Sequence, residues 1–230
     1  MTSVLFVISA ADEWTLNDGS KHPTGYWAEE VAVPHRIFSE AGWDITIATP
    51  GGQAPTMDEL SVGLAGGLPG KRKEIVAYLD TISSALNRPE ELEKTHADEY
   101  DLVFYPGGHG PMEDLAQDAT SGALLTRRLQ NGTPLALLCH APAAVLAAGE
   151  PSPFAGRTMT GLSNAEEKVN AFARKAKWLL EDELKRVGVN YTKAALPYRP
   201  HIEVDGNLYT GQNPQSSEKL AERLVADLSR

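Results

Sequence analysis

The chain has a single cysteine, Cys139, among its 230 residues. One cysteine excludes an intramolecular disulfide and suits a reducing compartment, so we expect a cytoplasmic location. No uninterrupted apolar run approaches the length of a membrane-spanning helix. The first apolar run, residues 4–11, has no basic leader and is followed at once by Asp12 and Glu13. It is therefore typical of a first buried strand rather than of a signal peptide.

Basic residues are also scarce. The chain contains 21 Lys and Arg residues against 31 Asp and Glu residues, which gives a formal net charge of −10. Non-specific binding to nucleic acid or to an anionic membrane requires clustered Lys and Arg. We therefore expect neither a nucleic acid nor a membrane as a partner. The remaining composition, 42% hydrophobic and 23% charged, is that of a globular protein with a sizeable core.

Short apolar runs alternate with amphipathic segments along most of the chain. The runs predict strands over residues 4–9, 44–49, 101–105, 135–138, 157–160 and 191–196, and a hairpin over 202–209. The amphipathic segments predict helices over residues 26–41, kinked or ended by Pro34, and over 121–130, 141–148, 165–187 and a final segment ending near Leu228. This alternation predicts an α/β fold with helices on both faces of an open, mostly parallel sheet.

The alternation of apolar runs and amphipathic segments is weaker between residues 53 and 98. A Gly- and Pro-rich piece there leads into an amphipathic segment, residues 71–87, and then into a charged stretch. We interpret residues 53–98 as a small inserted cap of helices and loops between two strands of the main sheet. Because nothing in this stretch indicates a separately folding unit, we predict one domain over residues 1–230.

Cys139 lies where a buried strand is followed by a helix, in the sequence LALLCHAPAAVLAAG. Ligands of open α/β sheets bind outside the carboxyl ends of the strands, and the start of a helix favours a thiolate. A sharp turn from strand to helix also presents a nucleophile and leaves backbone N–H groups free for an oxyanion. A free cysteine more often packs as a small apolar residue. The position of Cys139, with His140 beside it as a candidate base, favours a nucleophile.

Paired glycines follow a neighbouring strand, in Gly107-Gly108-His109-Gly110. Such glycines allow the backbone to approach a ligand closely, although a plain turn also uses them. The loop must end at the same sheet edge as Cys139, which favours binding. We predict that the backbone N–H groups of Gly108 and His140 bind an oxyanion, and that His109 contacts the substrate.

Four motifs in this order, TGYWAEEV, YPGGHG, LLCHAPA and TGLSNAEE, resemble the ThiJ/PfpI superfamily, which is related to class I glutamine amidotransferases. The inserted segment and the Cys-His pair are most similar to the branch of heat-shock chaperone-type, glutathione-independent glyoxalases (glyoxalase III, or D-lactate dehydratase). The resemblance covers nearly the whole chain. It implies a flavodoxin-like three-layer sandwich, a homodimer, and a Cys-His-acid triad with a further glutamate near the thiol.

The resemblance assigns the nucleophile to Cys139 and its partner to His140. It matches the glutamate near the thiol to Glu30, with Glu29 as the alternative. Read without the resemblance, Glu30 is an ordinary acidic residue in the first turns of a helix. If it is buried beside Cys139, its pKa should be raised, and the carboxyl group would donate or shuttle a proton.

The third triad position matches Glu167. The same residues form a capping-box pattern, with Asn164 as the N-cap and Glu167 three residues later. Catalysis and capping therefore remain open for Glu167, and Glu166 is a further candidate for the triad.

Some members of the superfamily bind a divalent metal through two histidines and a carboxylate. The six histidines here, at positions 22, 35, 96, 109, 140 and 201, show no metal-ligand spacing. We predict no metal and no other cofactor.

The resemblance implies conversion of methylglyoxal and related 2-oxoaldehydes to 2-hydroxy acids by a cysteine nucleophile, classed as a lyase. Two alternatives remain: a cysteine amidase or peptidase of the PfpI type, and a holdase chaperone or oxidative-stress protein.

Overall fold

The computed structural model describes residues 1–169 and 172–229. The strands within these residues are β1 Ser3–Val7, β2 Glu13–Thr15, β3 Lys21–Pro23, β4 Asp44–Thr49, β5 Glu90–Glu91, β6 Leu102–Tyr105, β7 Leu135–Leu138, β8 Thr158–Met159, β9 Asn190–Tyr191, β10 Ile202–Asp205 and β11 Leu208–Gly211. The α-helices are α1 Ala28–Glu40, α2 Pro69–Thr81, α3 Ser83–Leu86, α4 Gly110–Glu113, α5 Ala119–Gln130, α6 Asn164–Val169, α7 Leu180–Arg186 and α8 Ser217–Leu228. A 3-10 helix spans Ala141–Ala148.

The central sheet has seven strands among the described residues, in the order β10-β11-β7-β6-β1-β4-β5. All neighbours in it pair parallel except β10 and β11, which form an antiparallel hairpin at one edge. Every residue of β6 and β7 is buried, as expected for strands covered on both faces. Because β1, β6 and β7 run in the same direction, the loops that follow them meet at one edge of the sheet.

Helices cover both faces of this sheet. α1, α2 and α8 pack together as one layer, and α5, α7 and the 3-10 helix pack together as the other. The predicted α/β class and three-layer architecture are confirmed. No helix in the described ranges is long and apolar enough to cross a lipid bilayer.

The helix predicted over residues 26–41 is confirmed as α1, whereas the helix predicted over residues 165–187 is wrong. α1 continues through Pro34 instead of ending there, because the buried residues on both sides of the proline hold the helix in place. The predicted long helix over residues 165–187 is divided: α6 ends at Val169, residues 172–179 are not helical, and α7 begins at Leu180. Its positions 170 and 171 lie outside the described residues. Phe172 contacts the His109 and His22 rings instead of continuing a helical face.

Strand predictions fail at three places. Residues 10–25, a polar stretch for which the pattern predicts no strand, contain the hairpin β2–β3. The strand predicted over residues 191–196 is confined to β9, which pairs with β8 in a separate two-stranded sheet. The segment 53–98 is not made only of helices and loops, because β5 pairs with the carboxyl end of β4 and extends the main sheet.

Candidate active site

Cys139 directly follows β7 in a strained backbone conformation. Its φ is 59°, which is uncommon for a residue other than glycine. Its N–H donates to the carbonyl of Gly211 at 2.8 Å, and its carbonyl accepts from the N–H of Leu162 at 2.9 Å. The end of β11 and the loop after β8 therefore fix both peptide groups of the turn. This is the geometry of a nucleophile elbow.

His140 connects the thiol to a carboxylate. Its Nδ1 lies 3.5 Å from the Sγ of Cys139, and its Nε2 forms a short hydrogen bond with Oε1 of Glu167. Because Nε2–H donates a hydrogen bond to the carboxylate, the neutral imidazole presents Nδ1 to the thiol as an acceptor. The structure thus brings Cys139, His140 and Glu167 together in the order thiol, imidazole, carboxylate.

The helix-capping function belongs to the neighbouring glutamate. Oε2 of Glu166 accepts from the N–H of Ser163 at 2.9 Å, and the N–H of Glu166 donates to Oγ of Ser163 at 3.3 Å. This reciprocal pair is a capping box one residue earlier than the sequence pattern predicted. The prediction that pairs Asn164 with Glu167 is wrong, so Glu167 is not used as a cap.

Glu30 lies in the first turn of α1 and is fully buried. Its Oε2 accepts from the N–H of Gly107 at 2.7 Å, and its carboxyl group lies close enough to Cys139 to raise the pKa of the thiol. Burial raises the pKa of Glu30 to about 8, so the carboxyl group is largely protonated at neutral pH. The alternative residue, Glu29, instead pairs with Lys71 at 2.5 Å.

Charge states around the thiol follow from burial and from neighbouring groups. Burial, followed by the carboxyl group of Glu30, raises the pKa of the Cys139 thiol well above its ordinary value. The expectation that the start of a helix favours the thiolate is therefore not met, and the helix that follows is of the 3-10 type. Burial and the nearby His109 lower the pKa of His140. Burial alone would raise the pKa of Glu167, but the two imidazoles outweigh it and hold that pKa well below its usual range.

Two glycines allow the loop after β6 to approach the elbow. A Cβ on Gly107 would lie 2.6 Å from the carbonyl oxygen of Leu138 and 2.8 Å from the backbone nitrogen of His140. Gly108 has a φ of 104°, a conformation that L side chains rarely adopt. Within the described part of the chain, the N–H groups of Gly108 and His140 make no hydrogen bond. Both are therefore available to an anionic oxygen.

His109 is buried beside the triad. Its ring stacks on Trp14 with centroids 4.4 Å apart, and its Nε2 lies 3.4 Å from Oε1 of Glu167. Both ring nitrogens are buried and make no hydrogen bond within the described residues, and His109 lines the same cavity as Cys139. The sequence gives no sign of the contact with Trp14, because that residue lies in a polar stretch.

A group that could hold a metal also converges here. The ligand atoms of His109, His140 and Glu167 lie within 4.8 Å of one another. Sequence spacing does not reveal this group, because its members come from three separate segments.

These residues surround a cavity of about 270 Å³. Cys139, His140 and Gly108 line it together with Trp27 and Tyr198, and the inserted segment contributes Ala65. A cavity of this volume holds a small molecule, with the thiol, the base and the free N–H groups in contact with it.

Comparison with known proteins identifies the family. The DJ-1/PfpI family matches residues 24–227. The chain belongs to the DJ-1/PfpI family. This confirms the resemblance read from the four motifs, and it explains why a cysteine elbow follows a central strand of the sheet.

Similar DJ-1/PfpI proteins include several named enzymes. The chain is 27% identical to Glyoxalase 3 of Candida albicans over 98% of both sequences. It is also 27% identical to the glutathione-independent glyoxalase hsp3102 of Schizosaccharomyces pombe, over 89% of both. The crystal structure of glyoxalase III from Candida albicans is 25% identical and superposes with a TM-score of 0.83, covering 98% of this chain and 96% of that one. These relatives are named as glyoxalases, and the similarity over nearly the whole chain indicates an enzyme.

Another relative corrects the expectation about partners. The Protein/nucleic acid deglycase HchA of Staphylococcus aureus is 27% identical over 97% of this chain and 79% of its own length. The exclusion of nucleic acid as a partner, drawn from the net charge, is contradicted by this relative. Net charge opposes non-specific phosphate binding, but it does not report on groups that surround a catalytic cavity.

Proposed function

We propose that the chain converts methylglyoxal and related 2-oxoaldehydes to 2-hydroxy acids without glutathione, as a lyase of the D-lactate dehydratase type with Cys139 as the nucleophile. One observation carries the proposal. In a small cavity, the thiol lies 3.5 Å from a neutral imidazole and close to a carboxyl group whose pKa burial raises to about 8. A base and an acid on one sulfur suit proton transfers between adjacent carbons. The names of the glyoxalase relatives give independent support.

In the first step, Sγ of Cys139 bonds to the aldehyde carbon, C1. The thiol proton passes to Nδ1 of His140, and the electron pair of the C=O bond moves to the oxygen, which the N–H groups of Gly108 and His140 stabilise. Glu167 stabilises the resulting imidazolium. Because the resting sulfur is a thiol, this proton transfer accompanies the attack.

In the second step, the oxyanion on C1 takes the proton from the imidazolium of His140, which restores the neutral imidazole. The imidazole then removes the hydrogen on C1 as a proton while the carboxyl group of Glu30 gives its proton to the C2 carbonyl oxygen, and an enediol forms. The imidazolium protonates C2 and the C1 hydroxyl returns its proton to Glu30, which gives a thioester of the 2-hydroxy acid. C1 is oxidised and C2 is reduced, so the electrons balance within the substrate. Water hydrolyses the thioester, which releases the 2-hydroxy acid and restores the thiol.

The size of the cavity favours this reaction over cleavage of a peptide. A volume of about 270 Å³ suits a small molecule, and Ala65 of the inserted segment is one of the residues that line the cavity. An extended peptide requires an open cleft instead.

The test is incubation of the purified protein with methylglyoxal alone, followed by assay of lactate. We expect lactate from the wild type and a loss on the order of 10³-fold in Cys139→Ala. Absence of lactate from the wild type, or equal amounts from both proteins, would contradict the proposal.

A further inference from the structure

A basic segment lies in this otherwise acidic chain. Residues 168–177 contain four of its 21 basic residues, Lys168, Arg174, Lys175 and Lys177, and no acidic residue. All four side chains belong to exposed residues. Within the described ranges, none of them forms an ion pair. Unpaired cations concentrated in one place attract anions even when the net charge of the protein is negative.

This segment is attached to the catalytic residues. Lys168 directly follows Glu167, and the next residue, Val169, lines the catalytic cavity and is 65% exposed. The N–H of Ala173 donates to the carbonyl of Glu167 at 3.3 Å, and the ring of Phe172 lies 5.1 Å from the ring of His109. Lys168 is therefore adjacent to a residue that lines the catalytic cavity, and Arg174 is two residues from one that contacts His109.

Two of the cations line a second cavity. It has a volume of about 440 Å³ and is lined by Lys168, Arg174, Ala173 and Leu179. Among the described residues, no carboxylate lines it, and the two preceding acidic side chains are engaged elsewhere: Glu167 contacts His140, and Glu166 contacts Ser163. An ammonium and a guanidinium together match the charge and the acceptor oxygens of a phosphate monoester.

We propose that the cavity between Lys168 and Arg174 is a phosphate subsite, and that the catalytic site acts on carbonyl compounds that carry a phosphate group. The inference rests on the proposed function, because it assigns a substrate class to the same site. Phosphate groups occur on small sugar-derived carbonyl compounds and on nucleotides, and both fit this chemistry.

The first experiment compares two substrates of the full chain: methylglyoxal, and the same 2-oxoaldehyde with a phosphate ester on C3. For the phosphate ester, we expect kcat/KM to fall at least about tenfold in Lys168→Glu/Arg174→Glu, and to fall as salt rises. For methylglyoxal, we expect the double variant to match the wild type. Lys219→Glu is the control, since it reverses an exposed charge on α8, in the opposite helix layer. Equal kcat/KM for the phosphate ester in wild type and double variant would overturn the subsite.

Binding to Cys139→Ala tests the subsite independently of turnover. Calorimetric titration with the phosphate ester should show salt-dependent binding that the added Lys168→Glu/Arg174→Glu changes abolish. If this binding persists while the wild type makes no product, the proposed reaction fails and the subsite stands. If binding is absent or unaffected by the charge reversals, the subsite fails.

Competition with GMP and with glycerol phosphate distinguishes the two sources of the phosphate group. Stronger competition by GMP indicates a nucleotide, and equal competition indicates a small phosphate ester.

Discussion

At the scale of single residues, the adjacent Glu166 and Glu167 have different roles: Glu166 caps α6 and Glu167 contacts His140. Substituting each glutamate in turn tests this difference. We expect Glu167→Gln to lower kcat for methylglyoxal by on the order of 10²-fold or more, because a neutral amide cannot stabilise the imidazolium of His140. The fold should remain intact, as measured by near-UV circular dichroism.

Glu166→Gln is the matched comparison. Among the described residues, Glu166 accepts hydrogen bonds from Ser163, Tyr198, Gln212 and Asn213. An amide would turn an N–H₂ group toward these donors, so urea unfolding should show a loss of about 1–3 kcal/mol. If Glu166→Gln instead lost activity and kept its full stability, the roles assigned to the two glutamates would be reversed.

The sequence identifies some of these residues and not others. Cys139, His140 and Gly108 are predictable because they lie next to the ends of two strongly apolar strands. Glu30 and Glu167 come from separate helices, and only the family resemblance identifies them. The contact between His109 and Trp14 has no sequence signal, since it joins a glycine loop to a polar hairpin.

At the scale of elements, a buried arginine joins α5 to the loops around the central sheet. The guanidinium of Arg128 donates to the carbonyl oxygens of Tyr100 and Pro134 at 2.7 Å, of Asp101 at 3.1 Å and of Ala97 at 3.3 Å. A lysine cannot direct donors toward four carbonyls at once. We expect Arg128→Lys to lower the free energy of unfolding by about 2–4 kcal/mol in urea titration.

Arg127→Lys provides the control. Its side chain is 49% exposed and pairs with Asp98 at the surface. Substitutions at such positions change stability by about 0.5 kcal/mol or less. A similar small effect at both positions would show that the buried guanidinium does not hold these elements together.

Strands and helices are predictable from the sequence where burial of apolar side chains alone decides the local structure. The strands at residues 101–105 and 135–138 are correctly located because a short, uninterrupted apolar run is typical of a strand buried on both faces. The helix predicted over residues 165–187 fails because tertiary contacts override a local pattern. The ring of Phe172 packs against the rings of His109 and His22, and Val169 lines the cavity.

At the scale of the whole molecule, two buried groups set the pH dependence of stability. Burial lowers the pKa of His35 from 6.5 to about 4, so the unfolded chain binds more protons in that range and stability falls as pH falls below 6.5. Burial raises the pKa of Glu30 from 4.5 to about 8, so the folded chain binds more protons and stability falls as pH rises. Between pH 4.5 and 6.5 the two effects oppose each other.

We therefore expect the free energy of unfolding to decline from pH 6.5 to 8 by up to about 1.4 kcal/mol per pH unit. Urea titrations at several pH values measure this slope, and Glu30→Gln should remove most of it, because an amide does not titrate. Other groups contribute equally to both proteins and cancel in the difference. Identical slopes would show that Glu30 does not carry the effect.

The fold class follows from the sequence at this scale, whereas strand order does not. Alternating strands and helices require a sheet covered on both faces. That β11 pairs with β7, with β10 outside it, depends on packing that no local pattern records. The net charge of −10 likewise records nothing about local charge, because a sum over the whole chain conceals the four basic residues of the segment 168–177.

The strained turn at Cys139 has a consequence for how this chain tolerates change. A residue other than glycine in the left-handed region costs of order 1–3 kcal/mol, and the fold maintains this cost at the position that bears the sulfur. Glycine would relieve it and would also remove the proposed nucleophile. Selection or engineering for thermal stability alone would therefore act against the reactive residue, and a stabilising programme for this protein has to hold position 139 fixed.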